Sequence, residues 1–239
     1  MAKTKEAPTA RQFIELLKTY RSAAELKKYE RYFPAKKRKG DAFIGVRMGT
    51  VFMLAQEFIE MPPREIEKLL ENRIHEVRAS GCSIMGKKAS HKNTSERQLE
   101  ELYELYLGRH DRINNWDLVD LAAHQVVGRY LADKPRGVLY KLARSKNTWE
   151  RRTAIVSTAH FIRKGELDDA FKIAEILLQD KEEFVNKATG WMLRFAGDKD
   201  RQRLMRFLDK HAAAMSRIAL RNAIEKLDRK QRDHYLCTE

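Results

Sequence analysis

The chain has 239 residues, of which 43% are hydrophobic, and its 48 lysine and arginine residues against 34 aspartate and glutamate residues give a formal net charge of +14. Two cysteines far apart in sequence and no apolar run of about 18 residues exclude a disulfide framework and a membrane-spanning protein. We expect a soluble cytoplasmic protein with a polyanionic partner, because lysine and arginine release counterions when they neutralise phosphates.

Apolar residues recur at helical spacing along most of the chain, which predicts an all-α fold. The pattern is clear in residues 13–20, and it is interrupted by a basic break at residues 34–40. The break is either a solvated loop or a segment that contacts phosphate. A helix to about residue 59 follows, and two prolines then precede a short amphipathic helix over residues 64–70.

From residue 75 onward, helical segments repeat every 31 to 41 residues, with starts at His75, Trp116, Trp149, Phe184 and, more weakly, Met215. Each segment continues into small residues and is preceded by another amphipathic run. Paired helices with this period are typical of an α-solenoid of the HEAT or armadillo type, whose stacked repeats form a concave surface. We therefore predict one right-handed α-solenoid domain over residues 1–239 with a basic concave groove, and flexible tails at 1–8 and 229–239.

The three tryptophans of the chain, Trp116, Trp149 and Trp191, all fall in the repeat register. Cations at helical spacing share their faces, namely Arg152, Lys187 and Arg194. Core packing explains any one of the tryptophans as well as ligand contact does. A shared register with cations favours a face that meets a ligand, because buried charges need partners.

Asp120 lies four residues after Trp116, so the two side chains stand on one helix face. A structural ion pair with Arg152, or with another cation on the inner helices, is one interpretation of this acid. The other is chemical: a carboxylate stabilises the oxocarbenium-like state of glycosidic cleavage and holds the attacking water. Such cleavage usually needs a second acid, but a base alkylated at a ring nitrogen is already cationic and leaves neutral.

Five motifs together resemble one known family. They are Asp-x-Phe-Ile-Gly-Val at 41–46, His-Glu-Val-Arg at 75–78, Trp-Asp-x-x-Asp at 116–120, Trp-x-x-Arg at 149–152 and Lys-Ala-x-Gly-Trp-x-Leu-Arg at 187–194. Their order and spacing, over residues 10 to 225, are similar to those of the HEAT-like-repeat alkylpurine DNA glycosylases of the DNA alkylation repair family.

The resemblance implies a monofunctional glycosylase that excises cationic N3- and N7-alkylpurines from double-stranded DNA. It implies no metal or cofactor, and excision without drawing the base into a protein pocket. Asp120 would be the catalytic carboxylate, Trp116 and Trp191 would pack against the deoxyribose backbone of the lesion, and Arg152 would hold the adjacent phosphate. Trp149, Lys187 and Arg194 are further DNA-binding candidates, and we expect a monomer.

The chain departs from the family pattern after Val46, where a proline and then an arginine are usual and Arg47-Met48 stands instead. The contact of the first repeat with DNA, and the role of a tyrosine near Tyr29 or Tyr32, are therefore open.

Two other classes of function remain compatible with the sequence. A non-catalytic protein of the same fold would recognise DNA structure, with Asp120 structural, and a HEAT scaffold would bind a protein chain. A near match to a phosphate-binding loop at residues 81–88 is discounted, because Lys88 replaces the required serine or threonine and a helix precedes it.

Overall fold

The computed structural model describes residues 7–33 and 40–237, without the side chains of residues 30–32. Regular secondary structure in these ranges is helical, apart from one isolated parallel bridge between Ala42 and Ile74. The predicted all-α class is confirmed. Contacts between residues divide the chain into two compact units, Met1–Ala122 and Ala123–Glu239. One continuous solenoid domain, its handedness and its concave groove stay predictions.

Local sequence signals explain where the helices of the first unit begin. Thr9 and Ser95 each form a capping box with the glutamine three residues later, and Pro63 occupies the first turn of its helix. The helices are α1 (Ala10–Thr19), α2 (Ala23–Tyr32), α3 (Met48–Glu57), α4 (Pro63–Leu70), α5 (His75–Ser90), α6 (Glu96–Gly108) and α7 (Trp116–Ala123), whose last residue opens the second unit.

The second unit consists of helices that alternate between two layers. They are a π-helical turn (His124–Gly128), α8 (Gly137–Ala143), α9 (Thr148–Ser157), α10 (Ala159–Arg163), α11 (Asp168–Ile176), α12 (Glu183–Gly197), α13 (Arg201–His211), a 3-10 turn (Ala212–Ala214), α14 (Arg217–Ala223) and α15 (Arg229–Leu236). Helix α12 packs against α9 on one side and α14 on the other, while α11 and α13 cover it from the second layer. Within this unit, helix pairs therefore stack in the manner of an α-solenoid.

Two glycines in the second unit allow neighbouring helices to approach closely. A Cβ atom added to Gly190 of α12 would lie 2.3 Å from the carbonyl oxygen of Ala219 in α14. A Cβ atom on Gly128 would lie 2.4 Å from the carbonyl oxygen of Ser157. Gly190 belongs to the motif at 187–194, so part of that motif serves helix packing.

The repeat positions are confirmed as helix positions, since α5, α7, α9, α12 and α14 each begin within two residues of a predicted start. Residues 229–236 of the predicted C-terminal tail form α15, whose Tyr235 is buried. The other predicted tail and the basic break fall largely on residues 1–6 and 34–39, outside the described residues. Residues 81–88, discounted as a phosphate-binding loop, lie inside α5. No helix among the described residues has the length and apolar character needed to cross a membrane.

Candidate active site

Helix α7 brings the predicted pair Trp116 and Asp120 to one cavity of the first unit. The main-chain N–H of Trp116 donates to the side-chain oxygen of Asn115 at 2.9 Å, which anchors the first turn. Trp116, Asp117, Asp120 and Leu121 all line a cavity of about 490 Å³. The side chains at 116 and 120 thus share a face, as the four-residue spacing requires, and both are half-buried.

Asp117 is held by a buried histidine beneath the cavity. Nε2 of His75, a fully buried residue, lies 2.7 Å from Oδ2 of Asp117, and its Nδ1 lies 3.5 Å from Oδ2 of Asp41. Burial lowers the pKa of His75, but the charge and hydrogen bond of Asp117 and the hydrogen bond of Asp41 outweigh it and raise the pKa to about 9. His75 is accordingly a cation at neutral pH, placed between two carboxylates.

Arg78 completes this buried cluster. Its Nη2 atom donates to Oδ2 of Asp41 at 2.7 Å. Burial raises the pKa of Asp41, yet the hydrogen bonds from His75 and Arg78 outweigh burial and hold it below its ordinary value. The histidine and arginine of the motif at 75–78, together with the aspartate that opens the motif at 41–46, therefore form one charge network.

The rest of the motif at 41–46 is a loop that Glu76 organises. One carboxylate oxygen of Glu76 accepts hydrogen bonds from the main-chain N–H groups of Ile44, Gly45 and Val46, at 3.0, 2.8 and 3.4 Å. Gly45 has a φ of +74°, and a Cβ there would lie 2.2 Å from the carbonyl oxygen of Ser22, so only glycine fits. The loop thereby fixes the start of α3 against α2.

Aromatic rings form much of the cavity wall. The rings of Phe33 and Trp116 are nearly parallel, 6.1 Å apart, and Phe33 also stacks on Tyr29 at 6.0 Å. Tyr29, Phe33 and Phe52 line the cavity with Trp116. The hydroxyl of Tyr29 donates to the carbonyl of Val46 at 2.5 Å, so this tyrosine is anchored at its polar end. The side chain of Tyr32, the other tyrosine in question, lies outside the described part of the chain.

Sequence reasoning missed Phe33, Phe52 and Met48 as cavity residues. The spacing of Tyr29 and Phe33, four residues apart at the end of α2, is a signal that could have indicated a shared aromatic face. Phe52 is 37% exposed, which is unusual for a phenylalanine but was not visible before the structure.

Charges at the edge of the cavity are paired with one another. Glu25 lies 2.8 Å from both Lys28 Nζ and Arg47 Nε, and all three residues line the cavity. The hydrogen bonds from Lys28 and Arg47 lower the pKa of Glu25. Arg47, which stands where the family pattern departs, is paired with Glu25 but remains 70% exposed at its side chain.

In the second unit, Trp149 and Arg152 meet Phe184. The indole of Trp149 packs against the Phe184 ring with centroids 5.6 Å apart, and Arg152 donates to the Phe184 carbonyl. Arg152 is only 4% exposed. These contacts give the Arg152 guanidinium a structural role. They do not test its role as a phosphate ligand, which the resemblance suggests.

The candidates on α12 differ in exposure. Trp191 is 37% exposed, and Lys187 is exposed with its Nζ 2.6 Å from Glu183. Arg194 forms an ion pair with Glu225. Trp191 and Lys187 therefore present surfaces that a ligand could reach, while Arg194 is partly neutralised. Within the described residues, no group of three or more His, Cys, Asp or Glu side chains could hold a metal ion.

Comparisons with known proteins agree with the motifs. Residues 13–227 match the family model described as DNA alkylation repair enzyme. Among solved structures, the fold is similar to a predicted DNA alkylation repair enzyme from Enterococcus faecalis, with a TM-score of 0.67 and 18% sequence identity. That match covers 87% of this chain and 97% of the Enterococcus protein. No curated protein sequence matches the chain.

Proposed function

The chain belongs to the DNA alkylation repair enzyme family, and on that premise we propose that it is a DNA glycosylase for cationic N3- and N7-alkylpurines in double-stranded DNA. The observation that carries the proposal is the placement of Asp120 beside Trp116 in one cavity of a chain with a net charge of +14. A basic protein that binds polyphosphate gains nothing in affinity from an acid at that position. An acid at that position does stabilise a reaction in which positive charge develops on the sugar.

The proposed chemistry uses one carboxylate. As the C1′–N bond breaks, its electron pair neutralises the cationic base, and positive charge develops on the deoxyribose. Asp120 stabilises that charge and accepts a proton from the water whose oxygen bonds to C1′. The face of the Trp116 indole adds to this stabilisation through its negative quadrupole.

Asp117 does not take the same role, although it lines the same cavity. Its Oδ2 forms a hydrogen bond with the buried His75, and its Oδ1 is also buried. Asp117 therefore supports the first turn of α7, and Asp120 is the carboxylate that we assign to chemistry.

The proposed DNA contacts extend to the second unit. Trp191, with its exposed ring, would pack against the deoxyribose backbone. Lys187 and Arg47, each paired with a glutamate but exposed at its side chain, would meet phosphates. Arg152 keeps the phosphate-binding role that the resemblance suggests, and Trp149 and Arg194 remain DNA-binding candidates. The proposed enzyme is a monomer that uses no metal or cofactor and, lacking a Schiff-base step, does not nick the strand. The proposed enzyme excises the base without drawing it into a protein pocket.

Release of 7-methylguanine from a site-specifically modified duplex tests the proposal. Wild type, Asp120→Asn and Asp133→Asn are compared, because Asp133 is exposed and its change removes the same charge. DNA affinity is measured in parallel. We expect wild type and Asp133→Asn to release the base, and Asp120→Asn to bind DNA with equal or higher affinity without release.

Absence of release by wild type, despite tight binding of DNA, would reject excision of this lesion and favour a non-catalytic protein that recognises DNA structure. Equal loss of binding and release in Asp120→Asn would show that Asp120 is structural.

A further inference from the structure

A basic cluster of the second unit has no role in the chemistry or in the DNA contacts assigned above. Its members are two half-buried histidines, His124 in the π-helical turn and His160 in α10, and two cations at the end of α10, Arg163 and Lys164. These four residues form the histidine cluster. Arg163 and Lys164 are exposed, and within the described residues neither forms an ion pair.

A glycine brings the two histidines together. The π-helical turn that His124 opens packs against α10. A Cβ atom added to Gly128, the last residue of that turn, would lie 2.8 Å from Cβ of His160. Because Gly128 has no side chain, α10 can approach the turn closely and place His160 beside it. Turns of this π-helical kind are frequent at functional sites.

Arg163 connects the histidine cluster to the helix that carries Trp191. Its guanidinium carbon lies 5.8 Å from the ring centroid of Phe195 in α12. Phe195 follows Trp191 by four residues, so the two rings share one face of α12. The exposed ring of Trp191 is the one proposed to meet the deoxyribose backbone. The histidine cluster therefore adjoins the surface of the second unit on which that backbone is proposed to lie.

Positive charges act on both histidines. Burial lowers the pKa of His124 to about 4, together with the charges of Arg163 and His160. The pKa of His160 is also lowered to about 4. Burial is again the largest cause, and the charges of Lys164, Arg163 and Arg129 add to it. Both imidazoles are accordingly neutral at pH 7.

The other neighbours of the cluster leave its positive charge largely unbalanced. Glu166, whose charge favours a protonated His160, is already paired with Arg136 at 2.5 Å. Helix α9 also packs against the π-helical turn and contributes the neutral Ser157 there, while α12 contributes the ring of Phe195. Nε2 of His160 is buried and has no hydrogen-bond partner in the part of the chain that the structure describes. An anion from outside the chain would balance these charges.

We propose that the histidine cluster binds a phosphate of the DNA backbone, and that its two imidazoles take up protons from the solvent as the phosphodiester binds. This rests on the proposed function, because it assigns a further DNA contact to the same protein. The negative charge of the phosphodiester offsets the repulsion that keeps the imidazoles neutral in the free protein. A protonated imidazole also donates from both of its nitrogens, whereas a neutral one donates from a single nitrogen.

Proton uptake makes this contact stronger in mildly acidic solution. Between the pKa values of the free and the bound protein, the complex holds protons that the free protein lacks, so affinity rises as pH falls. If binding raises the pKa of one histidine from about 4 to about 6, affinity increases by about ten-fold from about pH 7 to about pH 5. Contacts from lysine and arginine alone show no such dependence, because both stay protonated over this range.

Affinity for an undamaged duplex, measured by fluorescence anisotropy at fixed salt over this pH range, tests the proposal. The proteins are wild type, His124→Gln, His160→Gln and His234→Gln, whose histidine is exposed on α15. We expect an increase of about ten-fold or more on acidification for wild type and His234→Gln, and a smaller one for each cluster variant. The same pH dependence in all four proteins would overturn the proposal.

Titration of the histidine ring signals by NMR gives a readout on wild type, without any effect of substitution on folding. The pKa values of His124 and His160 should rise by at least about one unit in the presence of saturating undamaged duplex. Inorganic phosphate, at the same concentration of phosphate groups, should leave them unchanged. Unchanged values with duplex would overturn the proposal, and an equal rise with inorganic phosphate would reject the DNA backbone as the ligand.

Arg163 and Arg206 form a matched pair of exposed arginines, since Arg206 lies on α13 in the second layer. Arg163→Ala should reduce the slope of log affinity against log salt by about one unit, and Arg206→Ala should leave it unchanged. Arg163→Ala should also raise the pKa of His124 in the free protein, because one cause of its depression is removed. Equal salt slopes for the two variants would exclude Arg163 from the site.

These measurements use undamaged DNA, so their outcome is independent of excision. Release of 7-methylguanine from the modified duplex, without proton-linked binding, would retain the glycosylase and reject the histidine cluster as a phosphate site. Proton-linked binding without release would retain the phosphate site and reject the glycosylase.

Discussion

His75 and Asp117 join α5 to α7 through a contact of 2.7 Å between Nε2 and Oδ2, formed by a histidine with no exposed surface. The ring of His75 also packs against Phe33, with centroids 4.7 Å apart, and Phe33 stacks on Trp116. The buried imidazolium of His75 thus supports both the carboxylate of Asp117 and, through Phe33, the indole of Trp116. Its loss should disturb the cavity even though it does not line it.

We predict that the stability of the first unit depends on pH through His75. Its pKa is about 9 in the folded chain against 6.5 ordinarily, so between these values the folded state keeps a proton that the unfolded state has released. The stabilisation is complete below pH 6.5 and is lost as pH rises through about 9. Urea unfolding at several pH values should show a decline in unfolding free energy over this window.

His75→Gln is the control, because glutamine does not titrate. It should lower the free energy of unfolding by about 3 kcal/mol near neutral pH, since Asp117 and Asp41 lose a buried cation. The decline between pH 6.5 and 9 should be smaller in the variant than in wild type. Parallel curves for the two proteins would contradict the assignment of a charged His75.

Arg152 and Lys187 should respond differently to alanine substitution. Lys187 is exposed, so Lys187→Ala should reduce the slope of log affinity against log salt by about one unit without a change in stability. Arg152→Ala should reduce that slope similarly and also lower the free energy of unfolding by about 1–3 kcal/mol, because the Phe184 carbonyl loses its donor.

Salt titrations of binding to undamaged duplex, paired with denaturant unfolding, separate these effects. If Arg152→Ala lowers stability while its salt slope equals that of wild type, Arg152 is a structural residue and the phosphate role is rejected.

Gly190→Ala should destabilise the second unit, because the added methyl group meets the Ala219 carbonyl oxygen at 2.3 Å and α12 and α14 must separate. We expect a loss of about 1–3 kcal/mol in unfolding free energy. Gly137→Ala is the matched control, since a Cβ at Gly137 meets nothing within 4 Å. If the two substitutions had equal effects, close helix approach at Gly190 would not limit stability.

Glu25→Gln should increase the affinity for DNA at low salt. Glu25 neutralises Lys28 and Arg47 at the cavity edge, and its amide replacement leaves both cations free to bind phosphate. We expect an increase of about three-fold that disappears at high salt, measured by fluorescence anisotropy. Glu15→Gln removes the same charge from an exposed pair with Arg11, and an equal increase in that variant would indicate a general charge effect.

Sequence patterns alone predicted the helical class, the positions of α5, α7, α9, α12 and α14, and the common face of Trp116 and Asp120. These follow from local periodicity and the four-residue spacing, both of which act within one or two helical turns. The motif at 41–46 was recognised as a sequence pattern, but its structural role was not predicted. It forms a loop held by Glu76, which accepts hydrogen bonds from three consecutive N–H groups that lie 30 to 32 positions away in sequence.

The surroundings of that face depend on tertiary packing, which the sequence patterns did not predict. Phe33, Arg47 and Phe52 line the cavity although they precede Trp116 by 64 to 83 residues. Helical periodicity does not encode contacts over such distances in sequence. The structure also showed that Arg152 is buried against a main-chain carbonyl, although its spacing from Trp149 indicated a shared surface. Spacing along a helix determines which side chains share a face, whereas long-range packing determines whether that face meets water, a carbonyl group or a ligand.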